Sequence, residues 1–188
     1  MKLRQLLEMP ERIQQEEILM PWQSADTSKK VWAVKLRDVP GGMLACHPLK
    51  RQSQRQFMVI AYMKTDRGYE GASAMLVNVS RESGREVYAI DGLSTKPNFR
   101  GQGIAYAMYT TMAFDKHLTV VSDDVQTDGG AAMWNKLART FPDNVGVFED
   151  ELEDVVAVSD WKDGNPFTHP FTRLVLSPTR FEKQKQAA

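Results

Sequence analysis

Cysteine is almost missing from this chain: Cys46 is its single thiol in 188 residues. One thiol excludes an intrachain disulfide framework and a cysteine-rich zinc site, and it fits a reducing compartment. Histidine is scarce as well. His47, His117 and His169 lie too far apart for a metal-ligand motif, so no metal is expected. No apolar run approaches the roughly 18 residues that suggest a membrane span. The opening stretch "MKLRQLLEMPERIQQEEILM" has acidic residues throughout and no apolar segment leading into small residues, so a signal peptide is not expected. An excess of either charge is also lacking, because 24 Lys plus Arg balance 24 Asp plus Glu. That zero formal charge gives no support to a general nucleic-acid binder. The expectation is a cytoplasmic protein with no membrane and no nucleic-acid partner, either a monomer or a homodimer.

What the chain does contain is enough apolar residue and length for one domain with a real core, spanning 1–188. Residues 2–20 carry leucines and isoleucine at mixed helical spacing around Pro10, which predicts a helical segment within 1–25. Val31–Leu36, "QFMVIAYMK" (56–64), "SAMLVNVS" (73–80) and "REVYAIDGLST" (85–95) read as strands. "MLACHPL" either continues the first strand or forms an irregular connection. The links "TDRGYEGA" and "RESG" are polar and glycine-bearing, so an antiparallel meander is the economical arrangement. Helical spacing then appears over 103–116 and 130–141, separated by the short strand run "LTVVS" (118–122). "NVGVF" (144–148) and "FTRLVLS" (171–177) read as late strands, and 178–188 as a polar, flexible tail. The order describes a mixed α+β domain: a mostly antiparallel central sheet with one β-α-β crossover.

At the start of that crossover lies "NFRGQGIAYAMYTTMAF" (98–114). Glycine is a poor helix starter unless something must approach the backbone closely. The first N–H groups of a helix lack intrahelical partners, and the dipole adds positive potential there. Glycines beside them let an anion reach the main chain, so such a turn can cradle a pyrophosphate. A tight strand-to-helix connection without ligand is the competing reading. The segment has neither the Lys-Ser/Thr pair of a P-loop nor the third glycine of a dinucleotide fingerprint, where Tyr106 stands.

The pattern Arg/Gln-x-x-Gly-x-Gly/Ala, present as Arg100-Gly101-Gln102-Gly103-Ile104-Ala105 after "IDGLSTKPNF", resembles the acetyl-coenzyme A loop of the GNAT (Gcn5-related N-acetyltransferase) superfamily. The resemblance covers roughly residues 57–150 and is most specific over 88–137. It implies an acetyl-CoA-dependent transfer of an acetyl group to a primary amine of a small molecule or protein. It also implies that the main-chain N–H groups from Arg100 through Ala105 bind the pyrophosphate, and that Leu93, Ser94 and Thr95 pair with the pantetheine arm. A bulge, eased by Gly92, would split this strand from the next and open a slot for the thioester. Lys96 and Arg100 would either add charge toward the phosphates or stand as solvated surface cations.

For the chemistry, the resemblance points to a carboxylate or water chain that accepts the amine's proton. Asp91 is the analogue on the strand, with Tyr88 and Asp123 as alternates; Asp123 and Asp124 would alternatively attract a cationic amine or cap the next helix. The proton donor to the leaving thiolate is usually a tyrosine on the helix matching "DGGAAMWNKLARTF", where this chain has Trp134. An indole N–H is a donor and not a usable acid. The role then passes to water, to Tyr106 or to Tyr109, or acetyl transfer has been lost. That last option defines the alternative reading: an inactive GNAT-fold binding protein, with or without retained CoA.

Overall fold

The structure is a computed structural model that describes residues 25–49, 55–82, 85–123, 127–148, 155–161, 165–167 and 173–181. Five strands come first: β1 (Trp32–Lys35), β2 (Gly42–Pro48), β3 (Gln56–Thr65), β4 (Gly68–Glu82) and β5 (Arg85–Thr95). Each pairs antiparallel with the next, so the expected meander is present, and "MLACHPL" belongs to a strand of its own. Residues 68–72 extend β4 instead of forming a linker. Their turn is confined to Asp66 and Arg67, braced by the Thr65 hydroxyl, which donates to the Gly68 carbonyl at 2.9 Å.

The chain then leaves the sheet through a short 3₁₀ turn, Pro97–Phe99, and enters α1 (Ile104–Thr110). The helical run continues as a wider π turn over Thr111–Asp115. Two adjacent threonines stand where the pitch changes. The Thr110 hydroxyl bonds back to the carbonyls of Tyr106 and Ala107, both at 3.1 Å, in competition with the backbone ladder. The Thr111 hydroxyl accepts the Arg37 N–H at 2.9 Å. His117, at φ 55°, turns the chain out of the helix, and Leu118 N–H closes back on the Met112 carbonyl at 3.1 Å.

After β6 (Val120–Val121) come α2 (Asp128–Thr140), β7 (Val145–Phe148), β8 (Val155–Ala157) and β9 (Arg173–Leu176). The described strands make one mixed sheet in the order β1-β2-β3-β4-β5-β6-β9-β7-β8. The β5–β6 pair is parallel, and the other pairs are antiparallel. The β5-α1-β6 segment is therefore a β-α-β crossover. Strand β8 lies in a stretch whose sequence shows no strand period. The expected helical segment in 1–25 lies outside the described residues, apart from Ala25, and so does most of the tail from 182 onward.

Strand β3 is apolar on both faces, which requires cover on both sides. Val59 and Ala61 meet Met75, Val77 and Ile90 under α1 and α2, together with Met108, Met112, Trp134 and Leu137. Met58 and Ile60 face the other way and pack with Ala74 and Ala25. Burial on this scale contributes roughly 25 cal/mol per Å² of apolar surface. No described helix is long and apolar enough to cross a membrane.

Candidate functional site

The site begins with a defect in the β4–β5 ladder. Met75 pairs with Leu93, yet Val77 pairs with Ile90, so Asp91 and Gly92 together oppose Leu76. This is a β-bulge, and Gly92 takes φ 104°, a conformation side chains disfavour. Strand β6 pairs with β5 only at Tyr88↔Val120 and Ala89↔Val121. Its end is drawn to β9 instead: Ser122 N–H donates to the Leu174 carbonyl at 2.7 Å, and the Ser122 hydroxyl accepts the Leu174 N–H at 2.9 Å. Among the described residues, no strand pairs with 91–95 on the β6 side. The bulge foreseen at Gly92 and the parting of the two strands thus coincide.

A cavity of about 320 Å³ lies beside the parting. Ile90, Gly92 and Leu93 of β5 form one wall, and Ala105 and Tyr109 of α1 another. Asp123, Thr127 and the first turn of α2, with Gly129, Gly130 and Met133, complete it. Helix α2 is held there by the Thr127 hydroxyl, which accepts the Gly130 N–H at 3.2 Å. Its Trp134 is fully buried and packs edge-on against Tyr109, and the indole N–H finds no acceptor among the described residues. Burial holds the Tyr109 phenol well above the ordinary tyrosine range, and the negative charge of Asp123 pushes it further.

The predicted residues separate into two groups. Leu93, Ala105, Tyr109 and Asp123 come together in the cavity. Asp91 stands apart, because strand alternation puts it on the opposite face from Ile90; there it accepts from the Asn78 side-chain amide at 3.3 Å and is exposed. Tyr106 lies outside the cavity lining, its ring under the Lys136 ammonium at 4.4 Å. Asp124 lies outside the described residues. Ile90 and Met133 were not anticipated. Met133 is three residues beyond Gly130, a spacing that puts both on one helical face.

Immediately after the cavity wall, residues 93–95 run along β4, where Ser73 pins them: its hydroxyl donates to the Ser94 carbonyl at 2.9 Å and lies 2.8 Å from the Thr95 hydroxyl. Arg100 Nε donates to the Thr95 carbonyl at 3.1 Å, and the Gln102 amide donates to the Asn98 carbonyl at 3.0 Å. Lys96 pairs with Glu70 at 3.0 Å. These side chains brace the turn. Gly101 and Gly103 take φ 75° and 74°, and a Cβ on either would meet no atom within 4 Å, so the turn opens outward. Gly103 is the N-cap of α1, and its carbonyl accepts the Ala107 N–H at 2.9 Å, the first bond of the helix. The N–H groups of Ile104, Ala105 and Tyr106 precede that first acceptor–donor pair and have no intrahelical acceptor.

Other candidate residues have structural roles. His47 Nδ1–H donates to the Lys29 carbonyl at 2.7 Å, which leaves Nε2 to accept from the Tyr62 hydroxyl at 3.0 Å. Cys46 is buried, and desolvation pushes its thiol up to about 12. Among the described residues no cluster of three or more His, Cys, Asp or Glu side chains is placed to hold a metal ion. No protein-family model and no curated protein matches this sequence.

Proposed function

We propose that the chain is a GNAT-type acyltransferase that uses acetyl-CoA to acetylate a primary amine. The observation that carries the reading is the parting of β5 from β6 at the Gly92 bulge, directly beside the cavity of Leu93, Ala105, Tyr109 and Asp123. A backbone edge without a strand partner suits an extended ligand with amide groups, as pantetheine has. The turn that follows fits a pyrophosphate: two left-handed glycines keep side chains off an outward-facing surface at a helix start. In this reading Gly101 through Ala105 hold the phosphates by their N–H groups, and Leu93 to Thr95 hold the arm. Bound acetyl-CoA supplies a thioester, an acyl group already activated toward an amine.

The chain's own groups then divide the remaining work. Asp123 lies at the exposed rim of the cavity and attracts a cationic amine, whose proton it can accept. Tyr109 stays protonated at neutral pH. A phenol held above its usual value of about 10 does not readily give its proton to a thiolate, whose acid has a pKa near 8.5. Tyr109 therefore serves as a hydrogen-bond donor to a sulfur anion, and solvent supplies the proton. Much of the remaining acceleration comes from holding two reactants together.

Binding is tested by thermal unfolding with millimolar acetyl-CoA, which must raise Tm if the ligand prefers the folded state. An unchanged Tm defeats the proposal. Trp134, buried where the family's helix carries its tyrosine, favours a second reading in which CoA is bound without turnover. Release of free thiol in the presence of amines and peptides separates the two.

A further inference from the structure

The cavity beside the parting extends further along β5 than an acetyl group reaches. Its walls on that strand are Ile90 and Leu93, which pair with Val77 and Met75. Asp91 and Gly92 fill the single place between those pairs, so Ile90 and Leu93 both stand on the α1 side although three residues separate them. Ile90 and Tyr109 are buried, while Leu93 and Met133 are half-buried and pack against the same core. In the acyltransferase reading, on which this inference rests, the pantetheine arm runs along residues 95 to 93 and brings its thioester to the bulge. A chain that continues in the arm's direction passes Gly92, which has no side chain, and meets Ile90. The strand rise puts Ile90 roughly 7–10 Å beyond Leu93. Acetyl extends past its carbonyl carbon by one C–C bond, about 1.5 Å.

We propose that Ile90, Tyr109 and Met133 form an acyl-chain subsite, and that the preferred donor is a short straight-chain acyl-CoA longer than acetyl, with butyryl as the type. The volume agrees with the length. The cavity measures about 320 Å³, whereas about 150 Å³ is enough for the six carbons of benzene. Four acyl carbons and the attacking amine therefore fit together. Ile90, Leu93, Ala105 and Met133 offer an acyl chain only carbon and thioether surface, and each methylene buried there should tighten binding about fourfold. The transfer keeps the chemistry given for acetyl. The amine nitrogen bonds the butyryl carbonyl carbon, the C–S bond breaks, the amine's proton goes to Asp123, and solvent protonates the CoA thiolate.

Calorimetric titration of the full chain with CoA, acetyl-CoA, butyryl-CoA and hexanoyl-CoA tests the subsite. Butyryl-CoA should bind more tightly than acetyl-CoA, by about fourfold for one extra methylene buried and up to about fifteenfold for two. Met133→Trp, which fills the subsite, should bring the acetyl and butyryl Kd values within about twofold of each other. Met133→Ala, which enlarges it, should move the preference on to hexanoyl-CoA. Each result is a ratio of two ligands on one protein, so a general loss of stability or affinity does not imitate it. A protein that binds acetyl-CoA but binds butyryl-CoA equally or more weakly would overturn the subsite and leave the acyltransferase reading standing. The parent's ratio retained in both Met133 variants would do the same. If neither CoA nor any thioester binds, the reading and the subsite fall together.

Discussion

The ring of Tyr109 meets the ring of Trp134 edge-on, with centroids 5.2 Å apart and planes inclined at 75°. This contact joins α1 to α2 at the back of the cavity and fixes the tyrosine through the tryptophan. Such aromatic pairs add about 0.5–1.5 kcal/mol beyond the area they bury. The two residues therefore divide hydroxyl chemistry from packing. Tyr109→Phe should keep the fold, while amine-dependent thiol release falls on the order of tenfold or more if the phenol supports the leaving sulfur. Trp134→Phe should lower stability by about 1–3 kcal/mol in urea denaturation, the cost of lost volume being partly offset by removal of a buried N–H without an acceptor.

Gly103 supplies a second test. Its φ of 74° is costly for any residue with a Cβ, although the space beside it is open. Gly103→Ala should therefore destabilise the chain by roughly 1–2 kcal/mol through backbone conformation alone. Gly103→Asn, which tolerates that region better, should cost less. Gly103→Glu should abolish the acetyl-CoA-induced rise in Tm, since its carboxylate would meet the phosphates with like charge. A retained rise would show that the turn does not bind them.

How far these features could be read beforehand depended on their range. Strand β5 was legible to the residue, because its β-branched and aromatic run ends at Pro97 and a glycine turn. The crossover was legible for the same reason, whereas the bulge at Gly92 was expected only from the resemblance of the following turn to an acetyl-CoA loop. What escaped depended on partners distant in sequence. Residues 68–72 read as a link because their glycines and charges hide a strand that pairing with β3 enforces. The Thr111 hydroxyl, at the π turn, is engaged by the N–H of Arg37, far away in the chain. At the site, Asp91 was the expected proton acceptor and Tyr109 one candidate donor to the thiolate. Strand alternation and helix packing then put one on each side of the sheet, a distinction that strand composition cannot carry.

Cys46 and Tyr109 predict a weakness in alkali. Both are buried, and both have proton affinities raised by desolvation, Cys46 from 9.0 to about 12. A raised folded-state pKa means that the native chain binds more protons than the unfolded one at intermediate pH. The associated stability is complete below the unfolded pKa and is lost as pH climbs toward the folded value. For the thiol the window opens near pH 9, and the loss approaches about 1.4 kcal/mol per pH unit above it. Urea midpoints measured from pH 7 upward should fall beyond pH 9. Cys46→Ala should be less stable at neutral pH but show a shallower fall, whereas an unchanged slope would assign the alkaline loss to other groups.

The two aspartates offer the sharpest test of the proposed chemistry. Asp123 shares a cavity with Tyr109 and adds to the rise in its proton affinity, whereas Asp91 lies on the other face, bonded to Asn78. Should the amine meet its acyl donor in that cavity, Asp123→Asn removes both the charge that draws a cation in and the group that accepts its proton. A loss of about 10²-fold or more in kcat/KM is then expected, in line with removing a general base. Asp91→Asn keeps the shape and removes an exposed charge on the face away from the cavity, so kcat/KM should change by less than a few-fold. The opposite ranking would mean that the amine approaches from the Asn78 side, with the proton leaving through Asp91. Tyr109 adds an independent check, because Asp123→Asn removes the charge beside it, so its phenol should ionise at lower pH in an ultraviolet titration. Asp91→Asn should leave that titration where it was.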